Sequence, residues 1–225
     1  MSRSRVPIDV SAHLIDPPPR PGRPAEEAPP PIDWTSFFGN DHAVELEVGS
    51  GKGLFLANAA RANPDRNFLG VEIARKYARL AAERLASQGI PNARVWAADI
   101  RAVLRRVPDR SLRAVHVYFP DPWWKKRHKK RRVFNEGLVA EVERTLQPGG
   151  ELHVASDVEE YFLLIRELVA ASPRFLERPA PEAGTPENEL DYLTNFERKY
   201  RIEGRPIYRA SYAMDPGRTS PSPDG

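Results

Sequence analysis

At 225 residues and 40% hydrophobic content, the chain suits one medium-sized domain with a real core. It contains no cysteine, which excludes disulfides, thiolate chemistry and cysteine-ligated metals; His13, His42, His116, His128 and His153 show no metal-ligand spacing. No stretch reaches the ~20 apolar residues of a membrane-spanning helix, and no apolar signal core opens the chain, so a soluble, cytoplasmic, metal-independent protein is the simplest expectation.

Residues 1–32 are rich in proline, with triplets at Pro17 to Pro19 and Pro29 to Pro31, and they nearly lack aromatic side chains. Such a segment buries too little apolar area to offset its ordering entropy, which predicts a disordered or extended tail. Residues 216–225 read the same way, leaving one domain over 33–215. Within it, short apolar runs alternate with helical patterns, the signature of an α/β fold with a parallel sheet.

The first strand is predicted over 43–48, ending in Gly49-Ser50-Gly51-Lys52-Gly53. A helix follows over 54–63, closed by Pro64. Strand 68–73 leads into helix 74–87, which Gly89 ends. A third strand covers 93–97 and stops at Ala98-Asp99; a fourth covers 111–119 and runs into Pro120-Asp121-Pro122. Helix 132–146, the Pro148-Gly149-Gly150 turn and strand 151–155 come next, with Ser156-Asp157 after the strand. Helix 158–171 and a short strand at 175–178 follow, then a helix over 190–199 and an antiparallel edge strand over 206–214.

Glu47, Glu72, Asp99, Asp121 and Asp157 each stand at or just after the C-terminal end of a predicted strand. Open α/β sheets bind ligands at those ends. Capping of the next helix explains any one of these acids but is a strained account of the whole series.

The loop Gly49-x-Gly51-x-Gly53 permits a tight turn and close approach of backbone to a ligand. Its spacing is not the Gly-x-Gly-x-x-Gly of the dinucleotide fingerprint, and the carboxylate of Glu47 would repel a pyrophosphate. An ammonium or sulfonium group would instead be attracted, which favours an amino-acid-bearing cofactor. Glu72 stands about 20 residues beyond the loop, where a carboxylate accepts hydrogen bonds from ribose hydroxyls. Asp99 is placed to reach an adenine edge, with N-capping an equal alternative. The trio of Glu47, Glu72 and Asp99 together points to S-adenosyl-L-methionine.

The most distinctive segment is Phe119-Pro-Asp-Pro-Trp-Trp-Lys-Lys-Arg-His-Lys-Lys-Arg-Arg132. Its seven cations exceed the formal net charge of +3 for the whole chain, so the basic character is local and the remainder is net acidic. A polyanion-binding stripe beside an acid stiffened by two prolines fits work on nucleic acid, although a solvated basic loop would look similar. Trp123 and Trp124 offer stacking surface for a base, and one of the two is expected in the core. Asp121 and Asp157, at adjacent strand ends, suit the N1 and N2 donors of guanine.

Glu47-x-Gly-x-Gly-x-Gly53, Phe119-Pro-Asp-Pro-Trp123 with its basic tail, Ala155-Ser-Asp157 and Thr194-Asn-Phe-Glu197 resemble the tRNA (guanine-N7-)-methyltransferase family over roughly residues 40–213. The resemblance implies a Rossmann-like class I methyltransferase fold and methyl transfer to N7 of guanosine 46 in the tRNA variable loop. It implies that Glu47, Gly49, Gly51, Gly53, Glu72, Asp99 and Asp121 line the cofactor site, with Asp121 catalytic. Lys125, Asp157, Thr194, Asn195, Phe196 and Glu197 would contact the substrate. Arg127, His128, Lys129, Lys130, Arg131 and Arg132 would contact RNA, and the protein would act as a monomer or homodimer. Methylation of another nucleic-acid base and non-catalytic RNA binding are the alternatives; a hydride-transfer dehydrogenase is disfavoured by Glu47 and the loop spacing.

Overall fold

The computed structural model describes residues 7–16, 30–123, 132–180, 194–215 and 217. Its strands are β1 (Leu14–Ile15), β2 (Ala43–Val48), β3 (Arg66–Val71), β4 (Ala93–Trp96), β5 (Leu112–Tyr118), β6 (Leu146–Ser156), β7 (Phe175–Arg178) and β8 (Tyr208–Met214). The helices are α1 (Trp34–Phe38), α2 (Leu54–Ala62), α3 (Arg75–Ser87), α4 (Ile100–Leu104), α5 (Glu136–Thr145), α6 (Glu159–Ala170) and α7 (Asn195–Ile202). One eight-stranded sheet takes the order β1-β4-β3-β2-β5-β6-β8-β7. Every pairing from β1 through β6 is parallel, and β8 is antiparallel to both β6 and β7.

A parallel sheet must be covered on both faces, and alternation along the strands supplies two cores. Phe68 and Val95 face a cluster with Leu56, Ala57, Ala78, Ala81 and Leu85 from α2 and α3. Their neighbours Leu69, Val71 and Trp96 face the opposite cluster, with Leu138, Val142, Ile165 and Val169 from α5 and α6. Small residues let α2 and α3 sit close: a Cβ on Gly53 would lie 2.7 Å from the Ala81 Cβ.

Several sequence expectations shift in detail. The tail expected over 1–32 contributes Leu14 and Ile15 to the sheet, in register with Val95 and Trp96; Val95 N donates to the His13 carbonyl oxygen at 2.7 Å. Residues 8–16 contain no proline, and ladder hydrogen bonds along an otherwise open edge order them there. Strand β3 starts and stops two residues before the expected 68–73, which leaves Glu72 just past its end. Helix α5 starts at Glu136, later than 132, because the Asn135 side chain accepts from Leu138 N at 3.0 Å and caps it. Helix α7 likewise begins at Asn195, with Thr194 as its cap, and runs on to Ile202. The expected turn at Pro148-Gly149-Gly150 is a register shift inside β6, where the pairing jumps from Leu112↔Leu146 to Ala114↔Glu151. The antiparallel edge is a pair of strands, with β8 inside and β7 outermost. The short helices α1 and α4 carry too little periodicity to be read in advance. No helix among the described residues is long and apolar enough to cross a membrane.

At Gly70 in β3, the sheet touches the glycine loop and α2 so closely that a Cβ would lie 2.9 Å from Leu56 Cδ2 and from Ser50 Cβ. Overpacking of this kind costs roughly 1–3 kcal/mol. Gly70→Ala should therefore lower the urea midpoint by a corresponding amount without changing the slope. An unchanged midpoint would mean that the loop has room to move away.

Candidate active site

Strand order turns the scattered acids into one rim. Glu47, Glu72, Asp99, Asp121 and Asp157 lie at or beyond the ends of β2, β3, β4, β5 and β6, which are neighbours in the order β4-β3-β2-β5-β6. The chain runs outward from β2 through β3 to β4, then crosses back through α4 to β5 on the other side of β2, and ligand crevices open at such switch points.

The centre of the rim is Glu47, with the glycine turn beside it. Gly49, Gly51 and Gly53 all have positive φ, and a Cβ on Gly49 or Gly51 would meet nothing within 4 Å. Positive φ explains the glycines conformationally, and the open space beside two of them leaves the backbone approachable. Glu47 is buried, and its Oε2 has no hydrogen-bond partner among the described residues. Its carboxyl is pushed up to about 8, first by burial and then by the neighbouring carboxylate of Glu72. A buried polar atom without a partner is costly, and a ligand donor is the usual remedy.

Glu72 does two structural tasks. Its Oε2 accepts from Gly51 N at 2.9 Å and its Oε1 from Ala74 N at 2.8 Å, so it ties the glycine turn to the start of α3. Each carboxylate oxygen has a second lone pair, which leaves capacity for ligand hydroxyls. Asp99 caps α4 by accepting from Arg101 N at 2.9 Å, and the Arg101 guanidinium grips both of its oxygens. That side-chain hydrogen bond is the main reason the Asp99 pKa is lowered. The capping alternative is therefore realised for Asp99, whereas the N-cap of α3 is Ala74 and Glu72 reaches only the N–H of that residue.

Behind the rim runs a buried polar row that composition alone did not reveal. His116, His153 and Ser211 are cross-strand partners on β5, β6 and β8. His116 Nε2 meets Glu45 Oε2 at 2.8 Å, its Nδ1 meets the Tyr118 hydroxyl at 3.0 Å, and its ring stacks on His153 at 5.0 Å. Burial pushes Glu45 up, but His116 and Arg66 outweigh it and hold the carboxyl below its usual value. Burial, then His116, drive His153 down to about 4. Phe55, in the first turn of α2, packs on both His116 and Tyr118 and couples this row to the glycine turn. The detectable signal was Glu45 and Glu47 two apart in an apolar strand, hence on one face of the sheet.

Tyr118 leads directly into the loop that carries Asp121. Phe119 and Trp123 both adopt positive φ, unusual for aromatic residues. Asp121 is exposed, and Trp123 is half-buried. Arg132 donates from Nε to the Pro122 carbonyl oxygen at 2.7 Å and lies 4.9 Å over the Tyr161 ring, so it fastens the far end of the loop. Phe119 is buried against Tyr200 of α7 at 5.5 Å and Phe196 at 6.2 Å.

The segment Thr194 to Glu197 is brought to the same rim, but its members differ. Thr194 Oγ1 accepts from Glu197 N at 3.0 Å, half of a capping box, and Glu197 is buried with Arg209 Nη2 at 2.6 Å from its Oε1. Asn195 is half-buried and Phe196 is 51% exposed. Asp157 is largely buried and paired with Arg205, whose guanidinium lies over Tyr200. Sequence reasoning missed Arg205, Tyr200, Tyr118 and His116. Trp124, Lys125, Arg127, His128, Lys129, Lys130 and Arg131 lie outside the described residues.

Residues 41–210 match a family model described as "Putative methyltransferase". The chain is 45% identical over 194 residues to the tRNA (guanine-N(7)-)-methyltransferase of Rhodopirellula baltica, covering 83% of this chain and 72% of that one. The protein of the same name from Geobacter metallireducens is 35% identical, with 83% and 89% covered. This chain belongs to the tRNA (guanine-N7-)-methyltransferase family. Among solved structures, the 16S rRNA methyltransferase KamB superposes with a TM-score of 0.57 at 16% identity, over 85% of this chain and 97% of that one, a likeness of fold. The family match covers the whole rim from Glu47 to Asp157 and α7, and it ends inside β8.

Glu47 also yields a stability test. Its pKa rises on folding from 4.5 to about 8, so the folded state holds a proton that the unfolded chain releases. The stabilising effect of that proton is complete below about 4.5 and is lost as pH climbs to about 8. Glu47→Gln keeps the shape without the ionisation. Its stability relative to the parent, measured by urea unfolding, should grow across this window and level off above it; a pH-independent difference would rule out the buried proton.

Proposed function

We propose that this protein transfers the methyl group of S-adenosyl-L-methionine to N7 of guanosine 46 in the tRNA variable loop. The observation that carries the reading is the partnerless, buried Glu47 Oε2 beside a positive-φ glycine turn with open space around it. That donor-hungry oxygen fits the ammonium of the methionine moiety, and the relatives named as tRNA (guanine-N(7)-)-methyltransferases support the acceptor.

In this reading Glu47 binds the cationic amino-acid end of the donor, with Gly49 and Gly51 allowing the chain to pass close. Glu72, already holding the turn in shape, accepts from the ribose hydroxyls, and Asp99 lines the adenine end. The donor supplies an electrophilic methyl carbon on a sulfonium. Guanine N7 carries an in-plane lone pair and no proton, so the protein needs no general base for it. Its task is orientation, worth up to ~7–11 kcal/mol in well-aligned systems. N7 becomes cationic on alkylation, and the Asp121 carboxylate stabilises that charge from the end of β5. Asp157 receives the N1 and N2 donors of the base, while Phe196 and Tyr200 give it an apolar wall. The cations from Lys125 to Arg132 bind RNA phosphates and contribute affinity without sequence information.

Incubation with unmodified tRNA and labelled donor, followed by digestion, should yield 7-methylguanosine, absent when the substrate carries adenosine at position 46. A different methylated base would overturn the acceptor. Asp121→Asn should lower kcat by about 10²–10³-fold, the range seen when a group stabilising developing charge is removed, with donor affinity nearly unchanged. Near-normal turnover by this variant would remove Asp121 from its charge-stabilising role.

A further inference from the structure

The side chain of Arg205 lies where the proposed base would bind. It reaches back from the loop after α7 and bonds through Nη2 to Asp157 Oδ2. Its guanidinium carbon sits 4.3 Å over the Tyr200 ring. A planar group is thus stacked on an aromatic wall with N–H donors turned to a carboxylate. Guanine would adopt the same arrangement there. Guanidinium and the N1–C2–N2 edge of guanine share the same chemical unit, adjacent coplanar N–H donors on one carbon. Adenine and cytosine each set an acceptor beside the amino group, and uracil has a single N–H between two carbonyls. None of these three mimics the guanidinium.

Resting on the proposed reading of Asp157 as the guanine receptor, we infer that Arg205 is a built-in stand-in for the target base, which must displace it to enter. The physical need is clear. The Asp157 side chain is only 11% exposed, and a carboxylate so far from water is expensive to leave unpaired between catalytic cycles. Arg205 is 41% exposed, so its head can swing outward without unpacking a core. Its Nη1 lies 3.8 Å from Glu203 Oε2, which gives the displaced guanidinium a partner at the surface. The backbone bond from Arg205 N to the Tyr200 carbonyl oxygen at 2.9 Å anchors the hinge while the side chain moves. The Tyr200 hydroxyl, whose pKa is raised by burial and then by Asp157, remains beside the carboxylate in either state.

Occupation by Arg205 lowers the apparent affinity for any base by the fraction of time the pocket is open. The experiment uses guanosine, which has no phosphate for a freed arginine to grasp, titrated into the full chain by NMR. Arg205→Ala should bind guanosine several-fold more tightly than the parent. Guanidinium ion at millimolar, non-denaturing concentration should then compete with guanosine in Arg205→Ala and leave the parent unaffected. Arg205→Lys, which keeps the charge but lacks the planar fork, should fall between them. If Arg205→Ala binds guanosine no more tightly than the parent, undetectable binding included, the stand-in role is overturned and Arg205 only braces α7. The double variant Arg205→Ala/Asp157→Ala separates the other failure: guanosine binding equal to that of Arg205→Ala would put the base elsewhere and overturn the reading of Asp157.

Discussion

Five carboxylates gathered on one edge of a sheet repel one another and resist leaving water, and the local structure is largely a set of answers to that problem. Backbone amides answer it for Glu72, which collects the N–H groups of Gly51 and Ala74. A neighbouring arginine and a helix N-terminus answer it for Asp99. Asp157 has Arg205, and the buried acids just behind have His116 for Glu45 and Arg209 for Glu197. Glu47 alone of the buried acids keeps a carboxylate oxygen without a partner among the described residues. That unpartnered oxygen marks the place where a cationic ligand, by favouring the ionised carboxylate, is worth most.

The answers also build rigidity. Glu72 holds the glycine turn to α3, and Phe55 locks the same turn onto Tyr118 and His116. Tyr118 hands over to the loop of Asp121, whose other end Arg132 fastens through the Pro122 carbonyl. Phe119 then joins that loop to α7. The glycine-turn half and the Asp121 half of the rim are thus linked through contiguous packing, which in the proposed function would hold two reactants in register. Charge neutralisation and alignment are carried by the same side chains.

Two kinds of neutralisation imply two kinds of behaviour. Backbone amides at Glu72 are fixed and stay in place when a ligand arrives. The guanidinium at Asp157 sits on a long, half-exposed side chain and can leave. In the proposed function, the first would suit a cofactor pocket that must keep its shape, and the second a pocket for a base extruded from RNA, which would enter and depart with every turnover.

The sequence by itself determined the strand-turn-helix order, the glycine turn, the acids at strand ends and the Phe119-Pro-Asp121-Pro motif, because period, turn chemistry and short-range spacing are local properties. Glu47 could be read from its spacing to Gly49, and Glu72 from its distance along the chain. The pairing of Leu14 and Ile15 with β4, the insertion of β8 between β6 and β7 and the meeting of Arg205 with Asp157 were beyond it. Each joins residues tens of positions apart, and no local propensity encodes which partner a strand edge or a guanidinium will find. Tertiary structure also decided the roles within the Thr194–Glu197 motif. Helix α7 turns Glu197 inward to Arg209 and leaves Phe196 facing out, a division fixed by the direction in which the helix packs against the sheet.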